Sequence, residues 1–241
     1  MSATPTVGPA QVRTVPGFVE ASRCQRWIEQ AWADRDAWKK RFEYIHSYGR
    51  AWYLELEYGM LHVYHSDAAA TNARLQRLEG LIPALASAAR YMEAPDGRAG
   101  LPARARTETL GPYWADAGVI AMTKGTAGVV HADYEGLSPY PATMFDERTR
   151  AYSAVLMLCK PQSGGDLKVW TRRWLANERA ELEGVPHEIA AYAVGSLVLF
   201  DSFCYHQILE SVLSTETPYR AVAAMHFVYR DDPHPHFEYW Y

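Results

Sequence analysis

The sequence predicts an α+β chain whose N-terminal half is mostly helical and whose remainder is mainly β. In the first half, apolar residues recur at steps of three and four, the spacing of an amphipathic helix. They form two stripes: Cys24, Trp27, Ile28, Ala31 and Trp32, and then Leu75, Leu78, Ile82, Leu85, Ala89 and Met92. From about residue 115 onward, short apolar runs bounded by glycines predict strands. We expect the helices to pack on the outer face of the β core.

The chain is predicted to form one domain after a short leader. Its 241 residues lie in the size range of a single large β-rich domain. Residues 1–14 are expected to be a disordered leader, and residues 15–241 a single domain whose β core spans about 115–230. Residues 52–58 alternate like a strand, and residues 94–106, rich in glycine and proline, predict an exposed loop.

Composition and charge exclude several classes of function. The net charge is −4 and no block of Lys or Arg occurs, so binding to nucleic acid or to an anionic membrane through bulk charge is not expected. No apolar run approaches the roughly 20 residues that span a bilayer, and no secretion signal is visible. The widely separated Cys24, Cys159 and Cys204 predict reduced, buried thiols in a cytoplasmic protein. The expected assembly is a monomer or a homodimer.

The residues with the clearest chemical meaning are His131, Asp133 and the distant His206. On a strand, side chains two positions apart point to the same face, so His131 and Asp133 can share one metal ion. The third ligand must then come from a neighbouring strand, which suits His206. Two imidazoles and one carboxylate leave about three positions of an Fe(II) ion open, the arrangement of non-heme iron oxygenases.

A second His-x-Asp tripeptide, His65-Ser66-Asp67, competes for the same interpretation. It opens onto an alanine-rich segment and predicts a loop before a helix, with Ser66 and Asp67 as capping groups. His131 instead follows the apolar run 127–130, which predicts a strand that enters a site. We therefore favour the later pair as metal ligands.

The remaining histidines carry weaker patterns. His226 lies at an even offset from Arg220 and so faces the same side of a strand, where a hydrogen-bonded core histidine is favoured over a site role. His234 and His236 lie among prolines and acids and predict a solvated tail. The aromatic residues 237–241 either fold over a pocket or cap the edge of the domain.

A wider set of segments surrounds the proposed ligands. They are Gly125, residues 151–158, Gly164-Gly165, residues 195–202 and Arg220. In order and spacing, the chain resembles the Fe(II)/2-oxoglutarate-dependent dioxygenases, especially their prolyl-hydroxylase-like branch, over about residues 115–230. The resemblance implies a double-stranded β-helix (jelly-roll, cupin-like) core with the helices outside it. It also implies Fe(II) held by His131, Asp133 and His206, with O2 and 2-oxoglutarate as cosubstrates and Arg220 on the distal carboxylate of the keto acid.

The physical setting of Arg220 agrees with this role. It begins an apolar run, and a guanidinium directed into an apolar interior needs an anion, because an unpaired buried charge is costly. A dicarboxylate offers a bidentate partner; a structural ion pair with Asp201 or Glu210 is the alternative. The family often adds a hydroxyl near this carboxylate, and Thr123 is the candidate for that contact.

The resemblance implies hydroxylation, or desaturation or ring closure, at an unactivated C–H bond of a small molecule such as an amino acid or a natural-product intermediate. Asp133 argues against chlorination, because related halogenases carry a small residue there. A peptide or protein prolyl hydroxylase, a non-catalytic jelly-roll sensor of a metal or ligand, and a zinc hydrolase with the same ligands remain alternatives.

Candidate substrate contacts follow directly after the ligand pair. Tyr134, Glu135 and Tyr140 lie in a Pro- and Tyr-rich loop that is either a substrate lid or a structural loop. Trp170 adds aromatic surface farther along the chain.

Overall fold

The structure is a computed structural model that describes residues 12–49, 61–106, 114–133, 150–173, 181–216, 218–231 and 233–241, without the side chains of residues 61–66. The strand expected at residues 52–58 lies outside this part of the chain. None of the described helices is long and apolar enough to cross a membrane.

The described residues form helices in the first half and strands throughout. The helices are α1 (Ala21–Ala33), α2 (Leu61–Leu75) and α3 (Leu81–Ala86), with 3-10 turns at Arg35–Ala37 and Ser87–Tyr91. The strands of the first half are β1 (Arg13–Val15), β2 (Trp38–Lys40), β3 (Ile45–Tyr48) and β4 (Ala103–Ala105). Those of the second half are β5 (Gly118–Met122), β6 (Ala151–Cys159), β7 (Ser163–Gly164), β8 (Leu167–Arg173), β9 (His187–Ala190), β10 (Leu197–Asp201), β11 (Cys204–Ile208), β12 (Ser211–Val212), β13 (Arg220–Arg230) and β14 (His236–Trp240).

Two main sheets enclose a cavity. In the large sheet the strands follow the order β1-β10-β6-β13-β5-β3-β2, and β14 pairs with the C-terminal half of β13. The smaller sheet has the order β11-β8-β9, and β12 pairs with β7. Side chains of both sheets line one cavity between them. This mainly antiparallel arrangement is the predicted jelly roll, so the fold class is confirmed.

Helix α1 packs on the outer face of the large sheet, against β6. Its predicted stripe is buried at Cys24, Trp27, Ile28 and Ala31. The indole of Trp27 also donates a hydrogen bond to the carbonyl of Glu79 at 3.0 Å, which ties α1 to the second helical segment. The prediction for the first stripe is therefore confirmed.

The second stripe is not one helix. Helix α2 ends at Leu75 and α3 begins at Leu81, with Gly80 between them at a φ of 77°. A left-handed residue cannot continue a right-handed helix, and glycine adopts it without steric cost. The predicted side chains still face the core, because Leu75, Leu78, Leu85, Ala89 and Met92 are all buried. The periodicity identified the buried face but not the break.

Three segments predicted to be irregular pair with distant strands instead. Arg13–Val15, at the end of the expected leader, pairs with β10. Ala103–Ala105, inside the expected loop, pairs with β14, and His236, expected in a solvated tail, begins β14, which pairs with β13. His65-Ser66-Asp67 also differs from its prediction, because it lies within α2 rather than before a helix.

Candidate metal centre

The backbone brings His131 and His206 to directly opposite positions of two antiparallel segments. The N–H of His131 donates to the carbonyl of His206 at 3.1 Å, and the N–H of His206 donates to the carbonyl of His131 at 2.8 Å. The two imidazole rings then lie side by side with centroids 4.2 Å apart. The N–H of Asp133 donates to the carbonyl of Ser202 at 3.0 Å, which places its carboxylate against the same rings.

The segment before His131 differs from the prediction. Residues 127–130 form no strand, and His131 joins the fold through a single bridge. Val129 is 72% exposed, so the apolar run lies at the surface rather than in a sheet. Its carbonyl nevertheless matters, since it accepts a hydrogen bond from Nδ1 of His131 at 3.0 Å.

Both imidazoles present the same nitrogen to the site. Nδ1 of His131 bonds to the carbonyl of Val129, and Nδ1 of His206 bonds to the carbonyl of Cys204 at 3.1 Å. A carbonyl can only accept, so each Nδ1 carries a proton, and each Nε2 is the nitrogen left to bind a metal ion. Such backbone contacts orient histidine ligands in metal sites.

The three candidate ligand atoms form a triangle that suits one ion. Oδ1 of Asp133 lies 3.6 Å from Nε2 of His131 and 3.4 Å from Nε2 of His206. All three atoms lie within 4.8 Å of one another. An ion with bonds of about 2.1 Å separates adjacent ligand atoms by about 3 Å, so a small contraction would complete the coordination.

Electrostatics inside the site favour a cation. Burial, together with the neighbouring His206, lowers the pKa of His131 to about 4, so this ring is neutral. Burial also opposes charge on Asp133, but the imidazoles, His206 foremost, outweigh it and hold its pKa well below the usual range. Burial disfavours charge on His206, yet Asp133 outweighs burial and raises its pKa. Asp133 is a largely buried carboxylate that attracts positive charge, and a divalent ion would supply that charge.

Behind Asp133 lies a buried polar cluster. The hydroxyl of Ser153 lies 2.6 Å from Oδ2 of Asp133, 2.8 Å from the hydroxyl of Ser202 and 3.3 Å from Nδ1 of His226. His226 is therefore hydrogen-bonded and buried, as predicted, and it also lines the cavity. Its ring stacks on Tyr241 with centroids 5.9 Å apart and planes 10° from parallel.

The C-terminal Tyr241 forms part of the wall because Gly118 leaves it space. A Cβ on Gly118 would lie 2.1 Å from the ring of Tyr241, far inside van der Waals contact. The N–H of Tyr241 donates to the carbonyl of Ala115 at 2.7 Å, which fixes the chain end there. Of the two alternatives for the aromatic tail, folding toward the pocket is the one observed.

The cavity holds about 320 Å³ and runs between the two sheets. Alternate residues of β13 form one wall, with Arg220 at one end and His226 at the other. Most other lining residues are apolar: Phe42, Ile45, Ile120, Met122, Val129, Val155, Leu167, Phe200, Ile208, Val222 and Ala224. Phe42 is 48% exposed and Val129 is also exposed, so they mark the cavity's opening.

Arg220 lies in this cavity and is only 2% exposed. Its Nε donates to the carbonyl of Gly165 at 3.0 Å, and a terminal nitrogen contacts the hydroxyl of Tyr192. Among the described residues no carboxylate lies within ion-pair distance of it. Asp201 pairs with Arg173 at 3.0 Å and Glu210 is exposed, so neither takes the structural role considered for it.

The glycines of the sequence pattern are explained by close approach. Gly165 has a φ of 72°, and a Cβ there would lie 3.2 Å from Cδ of Arg220 and 2.9 Å from Pro161. A Cβ on Gly125 would lie 1.9 Å from the carbonyl oxygen of Ser211. Because both glycines lack a side chain, neighbouring backbone and side-chain atoms can approach them closely near the end of the cavity that contains Arg220.

Other predicted site residues lie elsewhere. The hydroxyl of Thr123 lies 3.4 Å from the carbonyl of Tyr44, and Thr123 is not among the residues that line the cavity. Trp170 is also absent from that lining; it packs under the ammonium of Lys168 at 4.5 Å. Tyr134, Glu135 and Tyr140 fall outside the described residues.

Sequence reasoning missed Tyr192 and Ser153. No motif marks Tyr192, which lies between β9 and β10 and reaches Arg220 only through the fold. Ser153 did leave a signal, because it is the one small hydroxyl in the otherwise apolar and aromatic run of β6. A polar residue in a buried strand implies a buried partner.

Comparisons with known proteins agree with this geometry at the level of the fold. No family model and no curated protein matches the chain. Among solved structures, it is similar to an N-substituted L-amino acid dioxygenase from Burkholderia ambifaria AMMD, with a TM-score of 0.62 and 13% identity over 97% of this chain and 86% of that one. It is also similar to the non-heme α-ketoglutarate-dependent epimerase SnoN from nogalamycin biosynthesis, with a TM-score of 0.55 and 12% identity over 92% of this chain and 80% of that one.

At such low identity, the shared property is the fold. Fold and site together define a jelly-roll protein with a 2-His-1-carboxylate cluster in its cavity. That fold is shared with the non-heme α-ketoglutarate-dependent epimerase SnoN and with the B. ambifaria dioxygenase.

Proposed function

We propose that the protein is an Fe(II)/2-oxoglutarate-dependent oxygenase that oxidises a C–H bond of a small molecule. One observation carries the proposal: His131, Asp133 and His206 converge in the same cavity as a buried Arg220 with no carboxylate partner among the described residues. A group of metal-binding side chains alone would fit several classes of enzyme. The combination with a buried cation implies an anionic cosubstrate beside the metal.

The three side chains divide the work of holding the ion. Nε2 of His131 and of His206 and Oδ1 of Asp133 would bind Fe(II) and leave about three positions open. When bound, the ion with 2-oxoglutarate and O2 would supply oxidation of an unactivated C–H bond, with 2-oxoglutarate converted to succinate and CO2. The protein's own contribution is a fixed ligand triangle in a mostly apolar cavity.

Arg220 would hold the distal carboxylate of 2-oxoglutarate, and Tyr192 is the hydroxyl that stands beside it. Tyr192 takes the position for which Thr123 was the sequence candidate. Burial raises the pKa of Tyr192, although Arg220 opposes this, so the hydroxyl stays protonated and can donate to a carboxylate.

Tyr192→Phe tests this second contact. Loss of one hydrogen bond to a charged carboxylate is expected to raise the Kd for 2-oxoglutarate about 10- to 100-fold, since such bonds contribute about 1.5–3 kcal/mol. Calorimetric titration of the metal-loaded protein measures the change. Thr123→Val is the control and should leave the Kd unaltered; the reverse ranking of the two variants would contradict the assignment.

The cavity wall supports a small substrate whose reacting part is apolar. Beyond Arg220, no Lys or Arg is present among the described residues that line the cavity. Once Arg220 is occupied by the keto acid, the substrate would meet mainly aliphatic and aromatic side chains. The names of several structural neighbours refer to small molecules. HygX, for example, has 2-oxoglutarate and hygromycin B bound.

The test is anaerobic addition of Fe(II) and 2-oxoglutarate. The wild-type protein should develop a weak visible metal-to-ligand charge-transfer band, and Asp133→Ala or His206→Ala should abolish it. His187→Ala, at an exposed position of β9, is the matched control and should retain the band. On admission of O2, succinate should form and increase with the correct small molecule. Turnover supported by zinc alone, or the band in Asp133→Ala, would overturn the proposal.

A further inference from the structure

We propose that Ser153 is a positioning residue that holds Asp133 as a metal ligand through one oxygen only. The proposal rests on the proposed metal function of Asp133 and adds a role for a residue behind it. It starts from the unequal surroundings of the two carboxylate oxygens. Oδ1 faces both imidazoles, at 3.4 and 3.6 Å, whereas Oδ2 lies 2.6 Å from the hydroxyl of Ser153.

Counting hydrogens fixes the direction of this bond. The carboxylate can only accept, so Ser153, with its one hydroxyl hydrogen, must donate to Oδ2. Its oxygen then accepts from the hydroxyl of Ser202 at 2.8 Å and from Nδ1–H of His226 at 3.3 Å. Among these contacts Oδ2 is the charged acceptor and the nearest one, so the hydrogen of Ser153 is directed to it.

Burial makes the arrangement costly to disturb. Ser153 is 1% exposed, and Ser202 and His226 are buried as well. If Asp133 turned both oxygens toward a metal ion, its short charge-assisted hydrogen bond from Ser153 would be lost. A hydrogen bond to a charged group is stronger than one between neutral groups, so its loss disfavours that turn and favours the one-oxygen orientation. The N–H of Asp133, bonded to the carbonyl of Ser202, restrains the backbone in the same direction.

The consequence concerns the number of open positions at the ion. With two imidazoles and one carboxylate oxygen bound, about three positions stay free. A keto acid that used two of them would leave one position free. A carboxylate bound through both oxygens would remove that last position. Ser153 thus acts through Asp133, and no contact between Ser153 and a substrate is required.

The experiment compares Ser153→Ala with Ser153→Thr, which keeps the hydroxyl, and with Ser47→Ala. Ser47 is a matched control, because it is buried and accepts a hydrogen bond from Arg41 at 2.7 Å but does not line the cavity. Each protein is loaded with Co(II), and its affinity and visible absorption spectrum, which reports coordination number, are measured. Ser153→Ala should weaken metal binding about 10- to 100-fold and shift the spectrum toward higher coordination. Ser153→Thr and Ser47→Ala should match the wild type.

A second measurement does not depend on the folding of Ser153→Ala. In the wild-type protein with 13C-labelled aspartate, metal binding should widen the separation between the two carboxylate stretching bands, the infrared mark of binding through one oxygen. The signal should be missing in Asp133→Ala. A narrowed separation, or wild-type affinity and spectrum in folded Ser153→Ala, would refute the role of Ser153. Failure of the wild type to bind Co(II) or Fe(II) would instead refute the proposed function, so the two failures are distinguishable.

Discussion

Leucine in place of Arg220 should weaken the binding of 2-oxoglutarate at least about 100-fold. Removing one partner of a buried, hydrogen-bonded charge pair costs about 2–5 kcal/mol, and the cavity offers the distal carboxylate no other Lys or Arg among the described lining residues. Titration of the charge-transfer band in the Fe(II)-loaded protein gives the Kd. The Kd of Arg220→Lys should lie between those of the wild type and Arg220→Leu, because lysine keeps the charge but lacks the planar pair of donors that fits a carboxylate.

The same substitution separates a binding role from a structural one. Without ligand, Arg220 is a buried charge whose hydrogen bonds within the described part of the chain go to the carbonyl of Gly165 and the hydroxyl of Tyr192. An apolar side chain of similar size relieves that desolvation, so the free energy of unfolding of Arg220→Leu should equal or exceed that of the wild type. The keto acid should then raise the melting temperature of the metal-loaded wild type but not of the variant. A variant that is strongly destabilised, yet binds 2-oxoglutarate normally, would assign Arg220 to the fold.

The pair His131 and Asp133 of the candidate metal-ligand triangle could be predicted because its geometry is local. Two side chains two positions apart share a face in any extended segment, even though the segment before His131 is not the strand that was expected. The third member, His206, could be recognised by residue chemistry and by the resemblance. The register that places it opposite His131 depends on long-range pairing, which one sequence does not encode in a readable pattern.

The helical stripes show the same division. The apolar spacing identified the buried side chains of both stripes, because burial follows the period of a helix. It did not show that α2 ends at Leu75 and that Gly80 precedes the start of α3, since an isolated glycine within a periodic pattern can lie inside a helix or at its end. The break became visible only in the structure, where Gly80 has a φ of 77°.

The residues that sequence reasoning missed, Tyr192 and Ser153, act through partners far away in the chain. Tyr192 contacts Arg220, and Ser153 contacts Asp133 and Ser202. Neither contact has a local spacing rule. Thr123 was chosen by position relative to a family pattern, and its side chain lies near a backbone carbonyl instead of in the cavity.

The C-terminal segment gives the largest expected effect on stability. Trp240 is 0% exposed, lies opposite His226 in the pairing of β14 with β13, and packs beneath the guanidinium of Arg106 at 5.5 Å. Trp240→Ala should lower the free energy of unfolding by about 3–5 kcal/mol, through lost burial and the cavity left behind. That is a large share of the roughly 5–15 kcal/mol that stabilises a typical domain.

Urea unfolding of the metal-free protein measures this loss, and His234→Ala is the control. His234 lies in the same segment but is exposed, so its replacement should change the free energy of unfolding by less than about 0.5 kcal/mol. Because Tyr241 follows Trp240 and stacks on His226, loss of the tryptophan should also loosen the wall behind Asp133 and weaken metal binding. Equal stability of the two variants would mean that the segment is a solvated tail after all, and Tyr241 would then have no fixed place in the cavity.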